Sequence, residues 1–99
     1  MWLKISVTRE DINRGEMRDE FHCPIARAFR RTGYKVGVSI SGLDFYYVRF
    51  CPYVREQFKK MENKFFEYIP TPELVKDWIR DFDDGKASYP FEFYVELKG

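Results

Sequence analysis

The sequence is poor in the residues that most enzyme chemistries need. Its 99 residues include one histidine, two cysteines, six glycines and five prolines. With His22 as the only imidazole, any Ser–His–Asp arrangement would rest on that one ring. Cys23 and Cys51 are too few for a disulfide framework and form no CxxC pair, so a closed zinc site of four closely spaced ligands is not available. There is no glycine-rich phosphate loop and no GxSxG elbow. The acidic turn "DFDDG" lacks the spacing of a calcium loop. No catalytic residues, metal or cofactor are expected from this inventory. Apolar runs fall well short of the roughly 20 residues a membrane span requires. The opening "MWLKISVTRED" has no apolar signal core. These absences lead to the expectation of a cytoplasmic protein with no membrane partner. A net charge of +1 supplies no global attraction to nucleic acid or anionic lipid.

Aromatic residues, by contrast, are abundant. Ten Phe, seven Tyr and two Trp make up 19% of the chain. A chain of this length forms one domain, here residues 1–99, and buries roughly two thirds of its unfolded surface. That core cannot easily hide every ring, so a ring-rich surface patch is expected.

Periodicity gives the elements. "WLKISVT" alternates and reads as a half-buried strand. Thr8 then caps a short helical turn carrying Glu10 and Asp11, which Gly15 stops. Residues 16–22 read as a polar loop. "CPIARAFRRTG" reads as a helix with Pro24 at its first position and Gly33 just past its end. "YKVGVSI" and "LDFYYVRF" flank Ser41-Gly42 as a hairpin, with Tyr34, Val36, Val38 and Ile40 on one side. Residues 51–63 fit a helix, and "KFFEYI" a short strand. In "TPELVKDWIRDFDDG", Thr71 is the expected cap, with Leu74, Val75, Trp78, Ile79 and Phe82 as the apolar face. "PFEFYVEL" closes the chain as an alternating strand. Strands with one wet and one dry face fit an α+β domain: a small, mainly antiparallel sheet with two or three helices packed on one face.

The stretch "HCPIARAFRR" invites comparison with a cysteine phosphatase loop. Counting from Cys23, the position that needs arginine holds Phe29, and "PIARAF" is too stiff to bend its amides around an anion. A thiol enzyme built on Cys23 remains an alternative, since a helix N-terminus lowers a thiol pKa. The plainer reading is a small buried or capping residue. Three surfaces are candidates for binding. Tyr46, Tyr47, Arg49, Phe50, Tyr53 and Arg55 crowd the hairpin and the segment after it, and Tyr and Arg are enriched at protein interfaces. Arg27, Arg30 and Arg31 share one face of the first long helix by their spacing. Asp77, Asp81 and Asp84 form an acidic row on the last helix, diluted by Lys76 and Arg80.

Taken in order, "ISVTREDINRG", "CPIARAFRR" and "ELVKDWIRDFDDGKASYPFEF" resemble a loosely defined set of small, uncharacterised phage and prophage proteins. The resemblance covers about half the chain, at its two ends. It implies a phage context and a small α+β fold, and it carries no activity and no catalytic residues. The resulting expectation is a non-catalytic binding protein that inhibits or redirects a host protein, such as a defence nuclease, as anti-CRISPR-like proteins do. The expected contact residues are Tyr46, Tyr47, Arg49, Tyr53 and Arg55, with Arg27, Arg30 and Arg31 second. A nucleic-acid or nucleotide-binding module using the same rings and arginines is the alternative.

Overall fold

The computed structural model describes residues 1–47 and 64–98. The expected helix over residues 51–63 lies outside them. The first strand, β1 (Trp2–Val7), pairs antiparallel with the last, β5 (Phe91–Glu96). Their register sets Leu3 opposite Val95, Ile5 opposite Phe93 and Val7 opposite Phe91, so both dry faces coincide. Trp2, Lys4, Glu92 and Tyr94 face outward and are exposed. The Met1 ammonium and the Leu97 N–H each donate to the other residue's carbonyl, at 3.0 and 2.8 Å, and join the two ends.

The central hairpin is β2 (Lys35–Val38) and β3 (Gly42–Tyr47), and β4 (Lys64–Pro70) adds antiparallel to β3. A bulge between Phe45 and Tyr46 shifts the β3–β4 register. The strands therefore fall into two small sheets, β1–β5 and β2–β3–β4, rather than the one sheet expected. Alternation along a strand shows which face is buried and carries no information about which strands are neighbours.

Three helices complete the α+β fold: α1 (Arg9–Arg14), α2 (Pro24–Arg31) and α3 (Glu73–Asp83). One of them joins the two sheets. Phe29 of α2 is fully buried, and its ring meets Phe45 of β3 edge-on at 5.4 Å and Phe93 of β5 at 5.9 Å. Ile25, Ala26 and Ala28 of the same helix are buried in the one core cluster that both sheets share.

Two details of α3 differ from the sequence reading. Thr71 does not cap the helix. Its hydroxyl donates to the Ser39 carbonyl at 2.7 Å, which fastens the start of α3 to the β2–β3 turn, while Pro72 holds the cap position without a side-chain bond. Leu74 is 64% exposed and lies outside the apolar face, whereas Val75 and Ile79 are buried and Trp78 and Phe82 half-buried. At the end of β2, Ile40 also turns out to be exposed instead of joining Val36 and Val38. Among the described residues, no helix is long and apolar enough to cross a membrane.

Candidate functional site

The helix arginines divide between two tasks. Thr8 and Asp11 form a reciprocal capping box on α1. The Asp11 N–H donates to Thr8 Oγ1 at 3.2 Å, and the Thr8 N–H donates to Asp11 Oδ2 at 3.0 Å. The Asp11 carboxylate is fully buried, and Arg31 grips both of its oxygens in a fork while donating to the Ser6 carbonyl at 2.8 Å. Arg27 brings its buried Nε to 3.5 Å from Asp11 Oδ1. Burial pushes the Asp11 carboxyl up. The hydrogen bonds from Arg31 and Thr8 outweigh this and hold it below its ordinary value of 3.8. Arg27 and Arg31 are thus the counter-charges of an internal carboxylate, and only Arg30 of the three turns to another surface.

Gly15 completes this joint. A Cβ there would lie 2.5 Å from Pro24 Cδ, so the end of α1 can abut the start of α2 only with glycine in place. Cys23 caps α2: its Sγ accepts the Ala26 N–H at 3.4 Å. Burial raises the thiol pKa above 9.0, against the lowering effect of the Ala26 and Ile25 amides. A buried thiol held in its protonated form is a poor nucleophile.

The loop between α1 and α2 is closed by the Glu16 N–H donating to the His22 carbonyl at 2.9 Å and the Cys23 N–H to the Asp19 carbonyl at 3.0 Å. Asp19 Oδ1 accepts the N–H groups of Phe21 and His22, both at 3.1 Å, and faces His22 Nδ1 at 2.9 Å. These contacts, His22 foremost, hold the Asp19 carboxyl below its ordinary range. Ligand atoms of Glu16, Asp19 and His22 lie within 4.8 Å of one another, a trio not evident from the cysteine and histidine spacing. These are the residues that could take a metal ion among those described. Asp19 already serves there as the staple of the loop.

The Val38 N–H donates to the Glu20 carbonyl at 2.8 Å, laying this loop on β2. Phe21 consequently sits over Gly37, where a Cβ would come within 3.3 Å of its ring. Lys35 Nζ lies 5.0 Å from the centre of the same ring, and Tyr46 packs against it at 6.0 Å. Arg30 donates to the Phe21 carbonyl at 2.6 Å. The result is a surface cleft of about 710 Å³ lined chiefly by Phe21, His22, Arg30, Tyr34, Lys35 and Val36. Of the sequence-predicted binding residues it contains Arg30, while Tyr46 of the hairpin patch packs against the Phe21 ring beside it. Phe21, Tyr34 and Lys35 were missed by the sequence reading. The detectable signal was Gly37 inside an alternating strand, which marks a close approach.

Tyr47 closes β3 opposite Lys64. Arg49, Phe50, Tyr53 and Arg55 lie outside the described residues. In the acidic row of α3, Asp77 pairs with Arg80 at 3.6 Å and Asp81 with Lys86 at 3.7 Å, and beside the row Asp83 accepts the Arg18 N–H at 2.9 Å.

A second cleft, of about 540 Å³, lies between the loop and α3 and is lined by Cys23, Ser39, Trp78, Phe82 and charges of both signs. No family model, curated protein or solved structure matches the chain.

Proposed function

We propose that this chain is a small, non-catalytic binding protein of phage type that inhibits or redirects a host protein in the host cytoplasm, with an anti-defence role of the anti-CRISPR kind as its setting. The Phe21 cleft is the centre of the contact. The observation that carries this reading is the convergence of Phe21, Tyr34, Arg30 and Lys35 on one concave surface, with Tyr46 packed against the Phe21 ring. Aromatic anchors beside arginine are what protein interfaces concentrate. The capped and buried state of Cys23 favours this reading over a thiol enzyme.

The test is capture of a stoichiometric host protein by the tagged chain, compared with the Arg30→Glu/Lys35→Glu variant and a distant control, Lys86→Glu. Loss of capture with the double variant alone, at an unchanged melting temperature, is the expected result. Full capture by a folded double variant would place the contact elsewhere. Charge reversal at Arg55 and substitution of Tyr53 test the contact expected from sequence in the same way. The second reading, a nucleic-acid or nucleotide-binding module, draws on the same pairing of rings and cations. It requires binding that weakens steeply with salt.

A further inference from the structure

The cations of the Phe21 cleft differ from most others in the described chain. Lys4, Arg14, Arg27, Arg31, Lys76, Arg80 and Lys86 each face a carboxylate within 4.0 Å. Arg30 and Lys35 face none among the described residues. Arg30 is held by a backbone carbonyl, and Lys35 lies over a ring. Among the described residues the cleft lining contains no carboxylate either: its polar residues are His22, Arg30, Lys35 and Tyr34, around an apolar floor of Phe21, Ala26 and Val36. Of the acids close by, Asp19 is engaged by His22 and two amides, and Asp44, opposite Gly37 on β3, makes no ion pair with Lys35 or Arg30.

Resting on the binding-protein reading above, we propose that the occupant of this cleft is an acidic peptide segment of the protein partner. An apolar side chain of the segment fills the floor between Phe21 and Tyr34, and carboxylates on either side of it meet Arg30 and Lys35. Charge complementarity argues for this occupant. A guanidinium whose one partner among the described residues is a neutral carbonyl keeps donors for a bidentate carboxylate, and the neighbouring ammonium has no carboxylate partner among the described residues. The floor is apolar enough to reward one buried side chain and too small for an extended hydrophobic strip. A segment of mixed charge would leave its own cations facing Arg30 and Lys35, which selects against it.

The experiment uses the full chain and a fluorescein-labelled probe of about nine residues, long enough to cross the cleft when extended, with one leucine flanked by glutamates. A Gln-for-Glu copy of the probe and an oligothymidine of about fifteen nucleotides are run beside it. Binding is read by anisotropy and located by amide chemical shifts. The expected result is binding of the acidic probe with shifts at Phe21, Ala26 and Val36, at least fivefold weaker binding of the Gln copy, and about tenfold weakening by Arg30→Glu/Lys35→Glu. Equal binding of the two peptides overturns the proposal, as do shifts confined to another surface. Oligothymidine binding without acidic-probe binding also overturns it and moves the cleft to nucleic acid. If the double variant loses the captured host protein while no acidic probe binds the native chain, the acidic-segment proposal fails and the binding-protein reading stands. If the probe binds but capture survives the double variant, the assignment of the host contact to this cleft fails instead.

Discussion

Replacing Asp11 separates a structural role for the helix arginines from a functional one. Asp11→Asn keeps the shape of the side chain and one acceptor for the Thr8 N–H, but it removes the charge that faces Arg31 and Arg27. Losing one partner of a fully buried pair costs about 3–5 kcal/mol. The Arg31 side chain is 48% exposed, so much of its charge can return to water, which lowers the expectation to about 1–3 kcal/mol. Asp11→Ala also removes the capping box and adds about 1 kcal/mol, for a total of about 2–4. A domain of this size has about 5–15 kcal/mol of stability and an m-value of about 1–1.5 kcal/mol/M in urea. The Ala variant should therefore unfold about 1–4 M earlier in urea, followed by tryptophan fluorescence. Because the folded carboxyl is held below 3.8, its contribution is fully present above that value and disappears as pH falls through the folded pKa. The stability of Asp11→Asn should accordingly lose part of the acid slope of the native chain below pH 4. Arg31→Met combined with Asp11→Ala should cost clearly less than the two single changes added together. Additive costs, or an Asn variant within about 0.3 kcal/mol of the native chain, would refute the internal pair and return Arg31 to the pool of binding residues.

Three further outcomes follow from the packing. Gly15→Ala, at a φ of −71° that alanine adopts freely, should destabilise by about 1–3 kcal/mol because its Cβ meets Pro24, in contrast to the slight gain usual for this exchange; a neutral or raised melting temperature contradicts that contact. Phe29→Ala should cost about 3–5 kcal/mol and loosen both sheets together, so hydrogen exchange at Phe45 and Phe93 amides should accelerate in parallel; acceleration in one sheet alone would remove Phe29 as the bridge. In a Cys51→Ser background, Cys23 should react with thiol reagents about a hundredfold more slowly in the folded chain than in urea, and Cys23→Ser, which keeps a capping oxygen, should stay within about 1 kcal/mol; rapid labelling of the folded chain would revive the thiol chemistry.

The three sequence motifs can be placed in the fold residue by residue. Thr8, Asp11 and Gly15 of the first meet Pro24 and Arg31 of the second in the α1–α2 joint. In the third, Phe82 stacks on Trp78 at 5.4 Å, Trp78 on Phe91 at 5.0 Å, and Phe91 on Phe93 at 5.5 Å, which connects α3 to the core. The motif residues thus hold the domain together. The cleft takes Ala26 and Arg30 from the second motif, and adds Phe21, Tyr34 and Lys35, which belong to none.

Local chemistry in the sequence was sufficient for the elements. Alternation gave β1 and β5, Thr8 and Gly15 bounded α1, and Pro24 and the left-handed Gly33, at φ 93°, bounded α2, since each of these signals acts within a few residues. Partners distant along the chain could not be read that way. Arg31 lies twenty residues from Asp11, and Thr71 thirty-two from Ser39, and in each case the more distant partner replaced the role that local spacing suggested. The same holds for the cleft. Its parts come from the α1–α2 loop, α2 and the central hairpin, and only the packing of that loop over Gly37 brings Phe21, Arg30, Tyr34 and Lys35 onto one surface.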